Sequence, residues 1–100
     1  MARGPSSNAM AIDLARPWAL NQQVALRPEP FGALAYHFGT RRLSFLKSRK
    51  LVAVVRALAE QPSGSAACLA AGVSDAELPA YARALDTLAQ TGMIRERSAP

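Results

Sequence analysis

Apolar and polar positions alternate along residues 24–47, and this pattern reads as strands rather than helix. Between two alternating runs lies Gly39-Thr40, a Gly-X pair suited to a two-residue type II′ hairpin, in which Gly supplies the positive φ. That turn sets a register: Phe38 faces Arg41, His37 faces Arg42, Tyr36 faces Leu43, Ala35 faces Ser44 and Leu34 faces Phe45. Opposed residues share a side and neighbours alternate, so Leu34, Tyr36, Phe38, Leu43 and Phe45 gather on one face, expected to be the core face. Ala33, Ala35, His37, Arg42 and Ser44 gather on the other, thin and polar. An earlier run, Val24-Ala25-Leu26, stops at Pro28 and Pro30 as an outer strand does, giving a three-stranded meander.

After Ser48 the period changes. Ser48 is an N-cap for "RKLVAVVRALAE", where Leu51, Val54, Val55 and Leu58 form one helical stripe before Pro62-Ser63-Gly64. A short helix over residues 65–71 ends at Gly72, and Ser74-Asp75-Ala76-Glu77 is an S-x-x-E capping box. Leu78, Tyr81, Leu85 and Leu88 then repeat at helical spacing towards Gly92. Pro79 at a fifth helical position would forfeit a backbone bond, which favours a start at Leu78. The resulting class is α+β: a three-stranded antiparallel sheet followed by three helices, like a winged helix-turn-helix with its wing placed first.

Composition narrows the function classes. One hundred residues, half of them hydrophobic, make one small domain. Ser7-Asn8-Ala9 before Met10 resembles a tag remnant, so residues 1–20 are assigned to a flexible N-terminal segment, 21–95 to the domain and 96–100 to a frayed tail. A lone Cys68 and a lone His37 allow no disulfide, triad or metal cluster within one chain, and Gly32 and Gly39 fit no phosphate-loop spacing. His37 is expected to be solvated on the polar sheet face. The expectation is a cytoplasmic protein that is not an enzyme, with no cofactor and no metal, and without a membrane span.

Net charge is +5, with a pI near 10.4, so acidic partners suit the chain. A winged-helix DNA-binding regulator is the alternative reading. It is weakened because the last helix offers Asp75, Glu77, Arg83, Asp86 and Gln90, one cation against three acids, facing a phosphate backbone. The cations lie elsewhere: Arg41, Arg42, Lys47, Arg49, Lys50 and Arg56 fall in a stretch without acids from Thr40 to Ala59. They either blunt an edge strand or greet an acidic strand added to it.

The stretch "RPEPFGALAYHFGTRRLSFLK", with the helical "GVSDAELPAYARALDTLAQTGMI" behind it, resembles the precursor-peptide chaperones of the mycofactocin pathway. These are relatives of the PqqD-like recognition elements of ribosomally made, modified peptides. The resemblance implies an adaptor without catalysis. It binds a precursor leader as an added strand beside the third strand, in a groove closed by the third helix, and presents it to a radical S-adenosylmethionine (SAM) maturase. Iron-sulfur clusters and S-adenosylmethionine would then belong to the partner. Mapped here, the third strand is residues 41–47 and the third helix about 75–90. Arg41, Arg42, Leu43, Ser44, Phe45, Leu46, Lys47, Tyr81, Arg83, Ala84, Leu85 and Leu88 become the implied peptide-binding residues. Arg41, Arg42, Lys47 and Arg83 would meet acidic leader side chains. Leu43, Phe45, Leu85 and Leu88 equally suit plain core packing. No nucleic acid or membrane partner is implied, and an unpaired third strand also suits homodimerisation through the sheet edge.

Overall fold

The computed structural model describes residues 12–97. The segment read as a tag remnant lies outside the described residues. Five strands and three helices follow in the order β1 (Trp18–Leu20), β2 (Val24–Glu29), β3 (Gly32–His37), β4 (Leu43–Leu46), α1 (Arg49–Ala57), α2 (Gly64–Ala70), α3 (Leu78–Gln90) and β5 (Ile94–Glu96), with a 3-10 turn at Leu58–Glu60 after α1. The central sheet is the expected antiparallel meander, in the order β2-β3-β4. β1 and β5 make a second, two-stranded sheet with Trp18 opposite Glu96 and Leu20 opposite Ile94. The first of these strands falls in the segment expected to be flexible, and the second ends in the one expected to fray.

The hairpin register is as read from the sequence, with Tyr36 opposite Leu43, Ala35 opposite Ser44 and Leu34 opposite Phe45. The turn that produces it is different. Residue 41, not Gly39, is left-handed, with Arg41 at φ 62°. The His37 carbonyl accepts from Arg41 N–H, and His37 N–H donates to the Arg42 carbonyl. A wider loop thus closes on the same register. Gly39 is small for a steric reason: a Cβ there would run into the Gln23 amide and the His37 ring.

The two faces of the sheet are exchanged relative to expectation. Ala33, Ala35 and His37 are 0%, 1% and 5% exposed, whereas Leu43 and Phe45 are 56% and 59% exposed. Only Lys47 and Ser48 separate β4 from α1. So short a link drops the helix on the side to which Leu46, the last strand residue, points. α1 fills that side with Leu51, Val54, Val55 and the following Leu58, all buried. A helix bringing four large side chains leaves room for alanine, not for phenylalanine, on the strand beneath it.

The helix boundaries have local causes. Ser48 Oγ accepts from Leu51 N–H and Ser63 Oγ from Ala66 N–H, each satisfying an otherwise unpaired first-turn donor. α3 begins at Leu78, with Pro79 in its first turn where a missing N–H costs nothing. The capping box forms one turn earlier than the helix itself: Ser74 Oγ accepts from Glu77 N–H at 3.2 Å, while Glu77 Oε1 accepts from Ser74 N–H at 3.0 Å. Met93 and Ile94 follow Gly92 into the core, and Leu85 joins them from α3.

Candidate functional site

β4 is an edge strand, and among the described residues no strand covers its outer side. In an antiparallel pair, residues that exchange hydrogen bonds alternate with residues that do not. His37 and Arg42 are joined by a hydrogen bond, so alternation directs the backbone groups of Ser44 and Leu46 to β3. Those of Leu43 and Phe45 are turned to the open edge. The same two residues are the most exposed apolar ones on the strand.

Alongside that edge runs α3, and between them lies a groove made of two adjoining hollows. One, of about 210 Å³, is lined by Lys47, Ser48, Leu51, Ala80, Tyr81 and Ala84. The other, of about 280 Å³, is lined by Ser44, Phe45, Leu46, Leu51, Ala84, Thr87 and Leu88. Leu51 and Ala84 belong to both, so the floor is continuous. The groove is apolar along its floor and polar at one end, where Lys47 is exposed and Tyr81 Oη lies 3.5 Å from Ser48 Oγ.

Against this geometry the implied residues separate into groups. Ser44, Phe45, Leu46, Lys47, Tyr81, Ala84 and Leu88 line the groove. Leu43 presents its backbone to the edge and its side chain to the outer sheet face. Leu85 is wholly buried beneath the floor, so it supports the groove without lining it. Arg41 and Arg42 sit at the hairpin end of β4, and Arg83 is exposed on α3 outside the lining. Ser48, Leu51, Ala80 and Thr87 are lining residues that sequence reasoning did not select. Leu51 was legible only as a core position; Ala80 shares the i, i+4 row of Ala84 and Leu88, and Thr87 the i, i+3 row of Tyr81 and Ala84, but a small and a polar side chain gave no apolar signal.

Two ionisable groups near the groove, Lys50 and Glu77, are partners of each other. Lys50 Nζ reaches both carboxylate oxygens of Glu77, at 3.0 and 3.2 Å, tying α1 to the start of α3. Hydrogen bonding from the Ser74 backbone N–H, with further help from Lys50, holds the Glu77 carboxyl below the usual carboxylate range. His37, expected in solvent, is buried; its Nδ1 accepts from the backbone N–H groups of Gly39 and Thr40 at 3.0 and 3.1 Å, locking the hairpin loop. Burial pushes the Cys68 thiol up, towards the neutral form. Among the described residues no group of three His, Cys, Asp or Glu side chains is placed to hold a metal, and no helix is long and apolar enough to cross a membrane.

The comparisons with known proteins agree with one another. The chain is 56% identical over 89 residues to the peptide chaperone MftB of Mycobacterium ulcerans, covering 89% of this chain and 82% of the relative. It is 49% identical to that of Mycobacterium tuberculosis over 96 residues, covering 96% and 88%. It is 56% identical to that of Mycolicibacterium smegmatis over 77 residues, covering 77% and 76%. No solved structure matches the chain. These relatives are named as chaperones rather than enzymes, and the family model described as "Peptide chaperone MftB family" matches residues 17–95. The chain therefore belongs to the peptide chaperone MftB family.

Proposed function

We propose that this chain is a peptide chaperone of mycofactocin biosynthesis that takes the leader of a ribosomally made precursor as an extra strand on β4 and presents it, in the cytoplasm, to a radical SAM maturase. The observation that carries the reading is the coincidence of an unpaired strand edge with an apolar groove beside Ser44, Phe45, Leu46 and Lys47. The N–H and C=O groups of Leu43 and Phe45 supply four main-chain hydrogen bonds, each worth about 0.5–1.5 kcal/mol net. Selectivity comes from alternation: every second leader side chain enters the hollows around Leu51, Ala84 and Leu88. Lys47 at one end, and Arg41 and Arg42 at the other, complement acidic leader residues. The cation-free α3 surface inside the groove accommodates apolar ones. An empty edge is also open to a second copy of the chain.

Hydrogen exchange on the chain saturated with leader peptide tests this. The amides of Leu43 and Phe45, exchanging freely in the unbound chain, become protected. Tyr81→Ala, or Arg41→Glu with Arg42→Glu, weakens binding about tenfold, equivalent to roughly 1.4 kcal/mol. Leader binding without protection at those two amides rules out strand addition on β4.

A further inference from the structure

The groove accounts for one side of β4 and leaves the outer face of the sheet unused. By the pairing register, Arg27, Leu34 and Phe45 stand in one row across the three strands, and Ala25, Tyr36 and Leu43 in the next. Phe31 and Phe38, beyond the ends of β3, extend the rows: Phe31 meets Phe45 edge to face at 5.9 Å, and Phe38 meets Tyr36 likewise at 5.4 Å. Phe31 and Phe38 are 45% and 57% exposed. An apolar patch of this extent, left in water on so small a protein, marks an interaction surface.

Charge says what kind. Lys47, Arg41 and Arg27 border the patch and are exposed. Among the described residues Arg27 pairs with Glu29 alone, at 3.1 Å, and no carboxylate pairs with Arg41 or Lys47. A second copy would bring the same cations to the same rim, and the two would repel. A partner whose apolar patch is fringed with carboxylates fits instead. The patch is also continuous with the groove. Phe45 lines the groove and, with Phe31 and Lys47, an outer hollow of about 350 Å³.

We propose that this outer sheet face docks the enzyme that modifies the presented peptide, through an apolar patch on that enzyme bordered by Asp and Glu. The proposal rests on the reading above that the peptide is handed to an enzyme. A peptide added to β4 widens the sheet by one strand, and its outward side chains join the same face. The docking surface is therefore completed by the cargo, and the enzyme binds the loaded chain more tightly than the empty one.

The test uses the full chain, its precursor peptide and the purified radical SAM maturase. Leu34→Thr with Tyr36→Thr alters the middle strand, away from the β4 edge, and Arg27→Glu alters the rim. Each variant is expected to bind leader within twofold of the parent and to lose at least tenfold in affinity for the maturase. Hydroxyl-radical footprinting of the unmodified chain gives an independent readout: the maturase shields Phe31, Tyr36 and Phe38 from oxidation, and does so more fully with leader present. Unchanged maturase affinity in the variants, or no shielding of those rings, overturns the docking face while leaving leader binding intact. Loss of leader binding by the unmodified chain fails the chaperone reading first, and the proposal with it. Tyr36-dependent self-association, or Tyr36-dependent binding to phosphatidylglycerol vesicles without shielding by the maturase, reassigns the face and overturns the proposal.

Discussion

Gly32 shows how much of the site depends on one missing methyl group. Its φ is +155°, and a Cβ built there overlaps the Leu46 carbonyl and lies 3.1 Å from the Ser48 backbone. Both neighbours are backbone at the junction where β4 turns into α1, so neither yields cheaply. Gly32→Ala is expected to destabilise the chain by about 2 kcal/mol or more, well beyond the ordinary effect of alanine in a strand, because strain at a positive φ adds to the clash. Urea unfolding monitored by circular dichroism checks this, and the variant's leader affinity falls as the groove end shifts. The same scale shows what was legible before the structure. The pairing partners of Tyr36 and Leu34 followed from the position of the hairpin loop, even though Arg41 rather than Gly39 takes the left-handed conformation. Which face was buried did not follow. Alternation sorts residues into two faces, and size suggested that Phe45 lay inside; only the short Lys47-Ser48 link and the bulk of α1 decide that Ala33 and Ala35 lie there instead.

Among the elements, α3 has the most exposed point of control. Its first turn is anchored by Glu77, which binds Ser74 N–H behind it and Lys50 of α1 beside it. Because the folded carboxyl titrates below its unfolded value, the stabilisation it gives is present above the unfolded value, about 4.3 for an ordinary Glu. It is lost as pH falls through the lowered folded value. Thermal melts from pH 6 to pH 3 should therefore show a steeper loss of Tm for the parent chain than for Glu77→Gln, and the two curves should converge at the acid end. The groove wall is α3, so leader binding weakens in parallel as pH falls. The S-x-x-E pattern announced this anchor in the sequence. Lys50 as its partner was not readable, since 27 residues separate them. The helices were read nearly to their ends because caps and stripes are local, whereas β1 and β5 were missed: strands of three residues have no alternation to detect and exist only through each other.

For the whole molecule, the β1–β5 pair closes the fold. Asn21 N–H donates to the Met93 carbonyl at 2.8 Å, Arg97 N–H to the Pro17 carbonyl at 2.9 Å, and Gly64 N–H to the Arg16 carbonyl at 3.0 Å. The two ends of the described chain are thereby tied to each other and, through Gly64 at the start of α2, to the helical layer, and Ile94 enters the core at 2% exposure. Ile94→Ala is expected to cost about 2–5 kcal/mol, a lowering of Tm by roughly 10 °C or more for a domain of this size. Differential scanning calorimetry measures it. A chain this small has little stability to spare, so saturating leader should raise the variant's Tm by mass action. The winged-helix outline was visible in the order of the elements, whereas the groove between β4 and α3 was expected only from the family resemblance. The outer face and the closing sheet were not visible, because both depend on contacts between distant parts of the chain.

The open edge of β4 has one more consequence. Only alternate residues of an added strand can meet the free groups of Leu43 and Phe45, so a peptide paired in the proposed way slides only in steps of two residues, about 6.8 Å. A shift of a single residue would turn every apolar anchor out of the groove. The unpaired remainder of the peptide then reaches towards the enzyme by a length that changes in increments rather than continuously. A leader held in the proposed way would make the chain a ruler, and inserting two residues between leader and modified end should displace the site of chemistry by one graduation.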